Sequence, residues 1–127
     1  KLMKEIIEDL VARKNGKPVN RVEYANTLYQ ELGDPDKAID ILEEMRSEFL
    51  QIESILSIKG FDKNFISRRR WNQWQKAYPE VVNSLVYIYR KNDRNFDAEI
   101  VLSDWVLRNP KDTNAQEILE QIRSGKK

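Results

Sequence analysis

Apolar and polar positions alternate along this chain with helical periodicity. Leu2, Met3, Ile6, Ile7, Leu10 and Val11 fall on one stripe, with Lys4, Glu5, Glu8 and Asp9 opposite, predicting a first helix. Asn15-Gly16-Lys17-Pro18 reads as its end, because glycine supplies a left-handed cap and proline blocks continuation. Asn20 followed by Glu23 reads as a capping pair that opens a second helix over about Arg21 to Leu32, stopped by Gly33. Asp34-Pro35 starts a third, with the acid as N-cap and proline at the first helical position, where its missing N–H costs nothing. In that helix Ala38, Leu42, Met45, Phe49, Ile52 and Leu56 step alternately by four and three, and no breaker appears before Gly60. A helix reaching Ile58 is roughly 36 Å long at 1.5 Å per residue. So narrow a stripe asks for a near-parallel helical partner, and Ile41, Ile55 and Ile58 widen it towards further neighbours.

Gly60-Phe61-Asp62-Lys63 reads as a turn, followed by a fourth helix over Asn64 to Ala77 with Phe65, Trp71, Trp74 and Tyr78 on its bulky side. Tyr78-Pro79 predicts a break or sharp kink, because a residue before proline avoids the helical region. A fifth helix uses Val81, Val82, Leu85, Val86, Ile88 and Tyr89, and Asn92-Asp93-Arg94-Asn95 is a polar turn. A sixth spans Phe96 to Arg108, with Ala98, Val101, Leu102, Trp105 and Val106 inward, and ends at Asn109-Pro110. Asp112 caps a seventh that carries Ala115, Ile118, Leu119 and Ile122. No segment shows a two-residue alternation. The pattern predicts an all-α chain of about seven helices.

Composition narrows the chemistry. The 127 residues suit one domain, and 40% apolar with 34% charged is enough for a modest core. A net charge of +1 gives no global field towards nucleic acid or membrane. With neither cysteine nor histidine, disulfides, thiolate chemistry, Cys/His zinc sites and histidine general bases are excluded. No apolar run approaches the ~18–20 residues that cross a bilayer. Lys1 to Leu10 is amphipathic and acidic, unlike a signal peptide. The opening Lys1 and the closing Gly125-Lys126-Lys127 give the expectation of a fragment of a longer protein. A cytoplasmic location is the default, though a cysteine-free domain is viable on either side of a membrane.

Two stretches echo each other: Tyr29 to Leu42 and Tyr89 to Leu102. Tyr29 with Tyr89, Ala38 with Ala98, Leu42 with Leu102, Val22 with Val82 and Ile41 with Val101 are all 60 positions apart. Tyrosine closing one helix, a polar turn and an alanine early in the next helix resemble the tetratricopeptide repeat (TPR), a helix–turn–helix recurring about every 34 residues. Tyr29, Gly33, Ala38 and Leu42 match in the first copy, and Tyr89, Ala98, Leu102 and Pro110 in the second. The resemblance implies antiparallel helical hairpins stacked as a short TPR-like α-solenoid. It divides a single domain into repeat-like segments 19–50 and 79–112, an inserted hairpin at about 51–78 and a C-terminal capping helix at 113–123. The spacing departs from the family's by about 26 residues, and Asp93 stands where the second copy needs its turn glycine. In the insertion, Phe65, Trp71 and Trp74 are expected to fold back over Ile52, Ile55 and Leu56.

TPR arrays bind peptides or partner domains on the surface made by successive first helices. Carried over by position, that surface shows Glu23, Tyr24, Thr27 and Gln30, then Asn83, Ser84, Tyr87 and Arg90. Tyr24, Thr27, Asn83, Tyr87 and Arg90 are the candidate partner-binding residues, against the alternative of a solvated polar face. Glu23 and Thr27 stand where the family's carboxylate-gripping pocket has Lys and Asn, which argues against that ligand. Arg68, Arg69, Arg70, Trp71 and Trp74 are a second candidate, for an anionic ligand such as nucleic acid or lipid. Adjacent helical residues point about 100° apart, however, and the indoles are wanted for packing. Glu43-Glu44 and Asp34/Asp36 carry no sign of a converging acid pair, and no phosphate loop, nucleophile elbow or metalloprotease motif occurs. No catalytic residue, metal ligand or cofactor is expected. The reading is a non-catalytic interaction or scaffolding module for a peptide, a partner domain or the rest of its own chain, with oligomerisation open. The alternative is a regulatory or structural tail of a bacterial membrane-bound enzyme, since the long helix between copies is similar in arrangement to the C-terminal parts of multi-pass sugar transferases.

Overall fold

A computed structural model describes residues 16–125 and is all-helical there, with no strand among the described residues. Five helices follow one another: α1 (Pro18–Gln30), α2 (Pro35–Lys59), α3 (Arg68–Lys91), α4 (Asn95–Arg108) and α5 (Thr113–Arg123). The helix expected over Leu2 to Val11 lies outside the described residues.

Proline and short polar side chains set most of the boundaries. Pro18 opens α1 instead of merely ending what precedes it, so the helix starts three residues before Arg21. At its other end Gly33 adopts φ 61°, its N–H donates to the Tyr29 carbonyl (3.2 Å), and the Asp34 N–H reaches the Leu28 carbonyl (3.0 Å). Those two bonds satisfy carbonyls that the helix end would otherwise leave open. Asp34 then caps α2, its carboxylate accepting from the Lys37 N–H at 3.1 Å, with Pro35 in the first turn. The long α2 runs to Lys59, where the Gly60 N–H closes on the Leu56 carbonyl (2.8 Å).

The break expected at Tyr78-Pro79 is absent, and α3 runs continuously with Pro79 inside it. One helix therefore replaces the expected fourth and fifth. An interior proline costs about 3 kcal/mol, but Trp74, Ala77 and Tyr78 before it and Val81 and Val82 after it are all buried. At about 1.5–3 kcal/mol for each large side chain buried, keeping that stripe aligned outweighs one lost hydrogen bond. The start of α3 also moves from Asn64 to Arg68. Residues Asp62 to Ile66 form a turn, with the Phe65 and Ile66 N–H groups on the Asp62 carbonyl (3.0 and 3.1 Å). The Ser67 hydroxyl accepts from the Arg70 N–H (3.1 Å), as an N-cap does.

The described chain forms two compact units, divided between Val81 and Val82. In the first, Arg21 near the start of α1 reaches Glu48 (2.7 Å) and Glu44 (3.5 Å) on α2, which makes the pair an antiparallel hairpin. The Arg21 guanidinium also lies over the Trp74 ring at 5.8 Å. The core of this unit is an aromatic stack on Phe49, whose ring lies 3.9 Å from Tyr78 and 5.2 Å from Trp71, nearly parallel to both. Trp74 lies at 6.5 Å and tilted. The fold-back expected of the aromatic helix is thus centred on Phe49, one turn earlier than Ile52. Ile52 and Leu56 are half-buried, while Ile55, Ile58 and Phe65 are exposed, and Ile66 is buried in place of Phe65.

In the second unit, α4 and α5 pair antiparallel, with Arg123 on Glu99 (3.1 Å). Three of the five echoed pairs match in burial, whereas Tyr29 and Ile41 are half-buried where Tyr89 and Val101 are buried. Ala38 and Ala98 are fully buried, as are Val22, Val82, Leu42 and Leu102. Asp93 takes φ 58°, close to the 61° of Gly33 and in the same left-handed region. Two substitutions test these supports. Phe49→Ala should destabilise the protein by about 3–5 kcal/mol. Gly33→Ala should cost about 1–2 kcal/mol, through backbone strain alone, because no atom lies within 4 Å of the added methyl. Chemical denaturation followed by circular dichroism measures both.

Candidate partner-binding groove

The second unit gives the C-terminal half of α3 two faces. Val82, Leu85, Ile88 and Tyr89 are buried, whereas Asn83, Tyr87 and Arg90 recur at the four- and three-residue steps that put side chains on one helical stripe. These three line a cavity of about 530 Å³ together with Lys91. Val86, Leu102, Ala115 and Ile118 supply its apolar lining, and Asn95, Asp112 and Asn114 complete it. The size falls in the range of about 300–1,000 Å³ usual for binding clefts.

The wall formed by α5 is held by one carboxylate. Asp112 caps that helix, one oxygen accepting from the Ala115 N–H (3.0 Å) and the other from the Trp105 indole N–H of α4 (2.9 Å). The hydrogen bond from Trp105, followed by that from Ala115, holds its carboxyl below the usual carboxylate range. Further bonds close the connection: the Asn109 side chain donates to the Trp105 carbonyl (3.0 Å) and the Gln116 side chain to the Pro110 carbonyl (2.6 Å).

The exposed groups of the groove are polar and cationic. Tyr87 is 51% exposed, with the Lys91 ammonium 5.7 Å from its ring. Arg90 is half-buried. The ion pairs of this unit join Arg94 to Asp97, Arg108 to Asp104 and Arg123 to Glu99, and among the described residues none uses Arg90.

Tyr24 and Thr27, the other candidates of the repeat surface, are half-buried on α1 in the first unit. The Arg/Trp run is committed differently. Trp71 and Trp74 are buried against Phe49, so their faces serve packing. The Arg68 guanidinium lies 3.7 Å from the Phe61 ring, Arg70 is half-buried and Arg69 is exposed. Among the described residues no group of three or more acidic residues is placed to hold a metal, and no helix is long and apolar enough to cross a membrane.

The sequence reading did not place Lys91, Asn95, Asn114 and Ile118 in the groove. Asp112 was legible as a cap, but its indole partner becomes visible only once the turn after α4 has closed. Comparison with protein-family models, curated proteins and solved structures finds no match to this chain.

Because bonds to the ionised form lower the Asp112 pKa, its extra stabilisation is present above the unfolded value of about 3.9 and is lost as pH falls through the lower folded value. Asp112→Ala should therefore cost about 1–2 kcal/mol at pH 7. The gap from the unsubstituted protein should narrow at pH 3 and below, as read by urea denaturation across that range.

Proposed function

We propose that this chain is a TPR-like interaction module, which binds a segment of a partner protein in the groove of its second unit and performs no chemistry of its own. The observation that carries this reading is the convergence of Asn83, Tyr87 and Arg90 on one cavity with an apolar lining. Two further features support a repeat architecture: the equivalent burial of Ala38 and Ala98, and the left-handed turn shared by Gly33 and Asp93. Asparagine side chains both donate and accept, and so suit a peptide backbone. A half-exposed tyrosine beside aliphatic side chains is a common anchor for binding energy. Because helices hold these groups before a ligand arrives, binding loses less conformational entropy than it would at a flexible loop.

Peptide-display selection on the immobilised 127-residue chain, followed by NMR titration of the winning peptides, tests the proposal. Shifts should cluster at Asn83, Tyr87 and Arg90. Tyr87→Ala should weaken binding at least about tenfold, the loss of roughly 1.4 kcal/mol or more that truncating a central anchor brings. Arg69→Ala should leave binding unchanged. Shifts confined to Arg68–Trp74 and abolished by salt would instead favour an anionic ligand on the first unit.

A further inference from the structure

The groove also carries a charge signature that narrows its ligand. We infer that its occupant is an extended acidic peptide segment, with aspartate or glutamate beside a medium-sized aliphatic side chain. This rests on the groove being a peptide site at all.

Three charged residues reach the cavity besides apolar and amide groups: Arg90, Lys91 and Asp112. The single acid is already satisfied, since one of its oxygens accepts from the Ala115 N–H and the other from the Trp105 indole. Both of its oxygens are thus engaged, and with Arg90 and Lys91 the lining carries a net charge of +1. The two cations are not balanced in the same way. Lys91 rests against the Tyr87 ring, and Arg90 is half-buried while the unit's other arginines pair with Asp97, Asp104 and Glu99. A half-buried guanidinium has lost part of its hydration, and a planar carboxylate meets its fork with two hydrogen bonds. A basic ligand would bring like charges together at partial burial, which is penalised. Beneath these groups, Val86, Leu102 and Ile118 offer a lining suited to a leucine, isoleucine or valine. Asn83 on α3 and Asn114 on α5 both line the cavity, where their amides can pair with a peptide main chain.

The experiment is a selection from an unbiased 12-residue peptide library on the whole chain, with Tyr87→Ala protein as counter-target. Peptides that depend on Tyr87 should be enriched in Asp and Glu next to Leu, Ile or Val. For the best of them, replacing its carboxylates by amides should weaken binding about tenfold, the loss expected for one charge-assisted pair at partial exposure. Arg90→Met should produce a similar loss, and the peptide change should then have little further effect on that variant. Lys91→Ala provides a second, independently folding test of the same coupling, and circular dichroism confirms the helical content of each variant. Tyr87-dependent peptides without acidic enrichment, or with losses that simply add in the cycle, would overturn the charge assignment and leave the groove standing. Selection that yields no Tyr87-dependent peptide would overturn both.

Discussion

The first unit depends on closing α1 against α2 over a turn of a few residues, and a second short turn leads from α3 into α4. That requires a backbone reversal that right-handed geometry does not supply and a contact small enough for close approach. Gly33 meets the first demand without penalty because it has no Cβ. Asp93 meets it at some cost, one that aspartate tolerates better than a branched residue would. Ala38 meets the second, fully buried early in α2, and Ala98 is likewise fully buried early in α4. Once those turns close, the positions of Leu42, Val82 and Leu102 follow from helical periodicity.

Aromatic packing adds what the hairpins lack. Phe49 sits at the middle of α2 and is covered by Trp71, Trp74 and Tyr78 from one helix, so a single side chain organises the core of the first unit. This has a functional consequence for the arginines alongside. With both indoles buried against Phe49, little of their faces is open to a nucleotide base, and the Arg68 guanidinium lies over the Phe61 ring. The uninterrupted α3 follows from the same packing, because a proline removes one hydrogen bond while the residues flanking it bury five side chains. Local propensity yields to tertiary burial at that point.

In the second unit a polar device does corresponding work. Asp112 ties the end of α4 to the start of α5 through the Trp105 indole and the Ala115 amide. The carboxylate thereby fixes where Asn114, Ala115 and Ile118 stand relative to α4. A binding surface built from two helices needs such a tie, since an unrestrained wall would have to be ordered anew by every ligand. The proposed peptide reading draws on this rigidity, and the charge signature draws on the fact that Asp112 is already engaged.

The sequence by itself determined the helical class and four of the five described helices to within a few residues. These are properties of periodicity, caps and small residues, all written within a few turns of chain. It also singled out Asn83, Tyr87 and Arg90 through the repeat resemblance, and their steps of four and three put them on one stripe of a helix. Only the tertiary structure decided that α3 continues through Pro79, that Trp71 and Trp74 serve Phe49, and that Asn114 and Ile118 line one cavity with those three residues. Each of these depends on contacts between segments distant in sequence, where the free energy of burial outweighs the local preference that a single stretch can express.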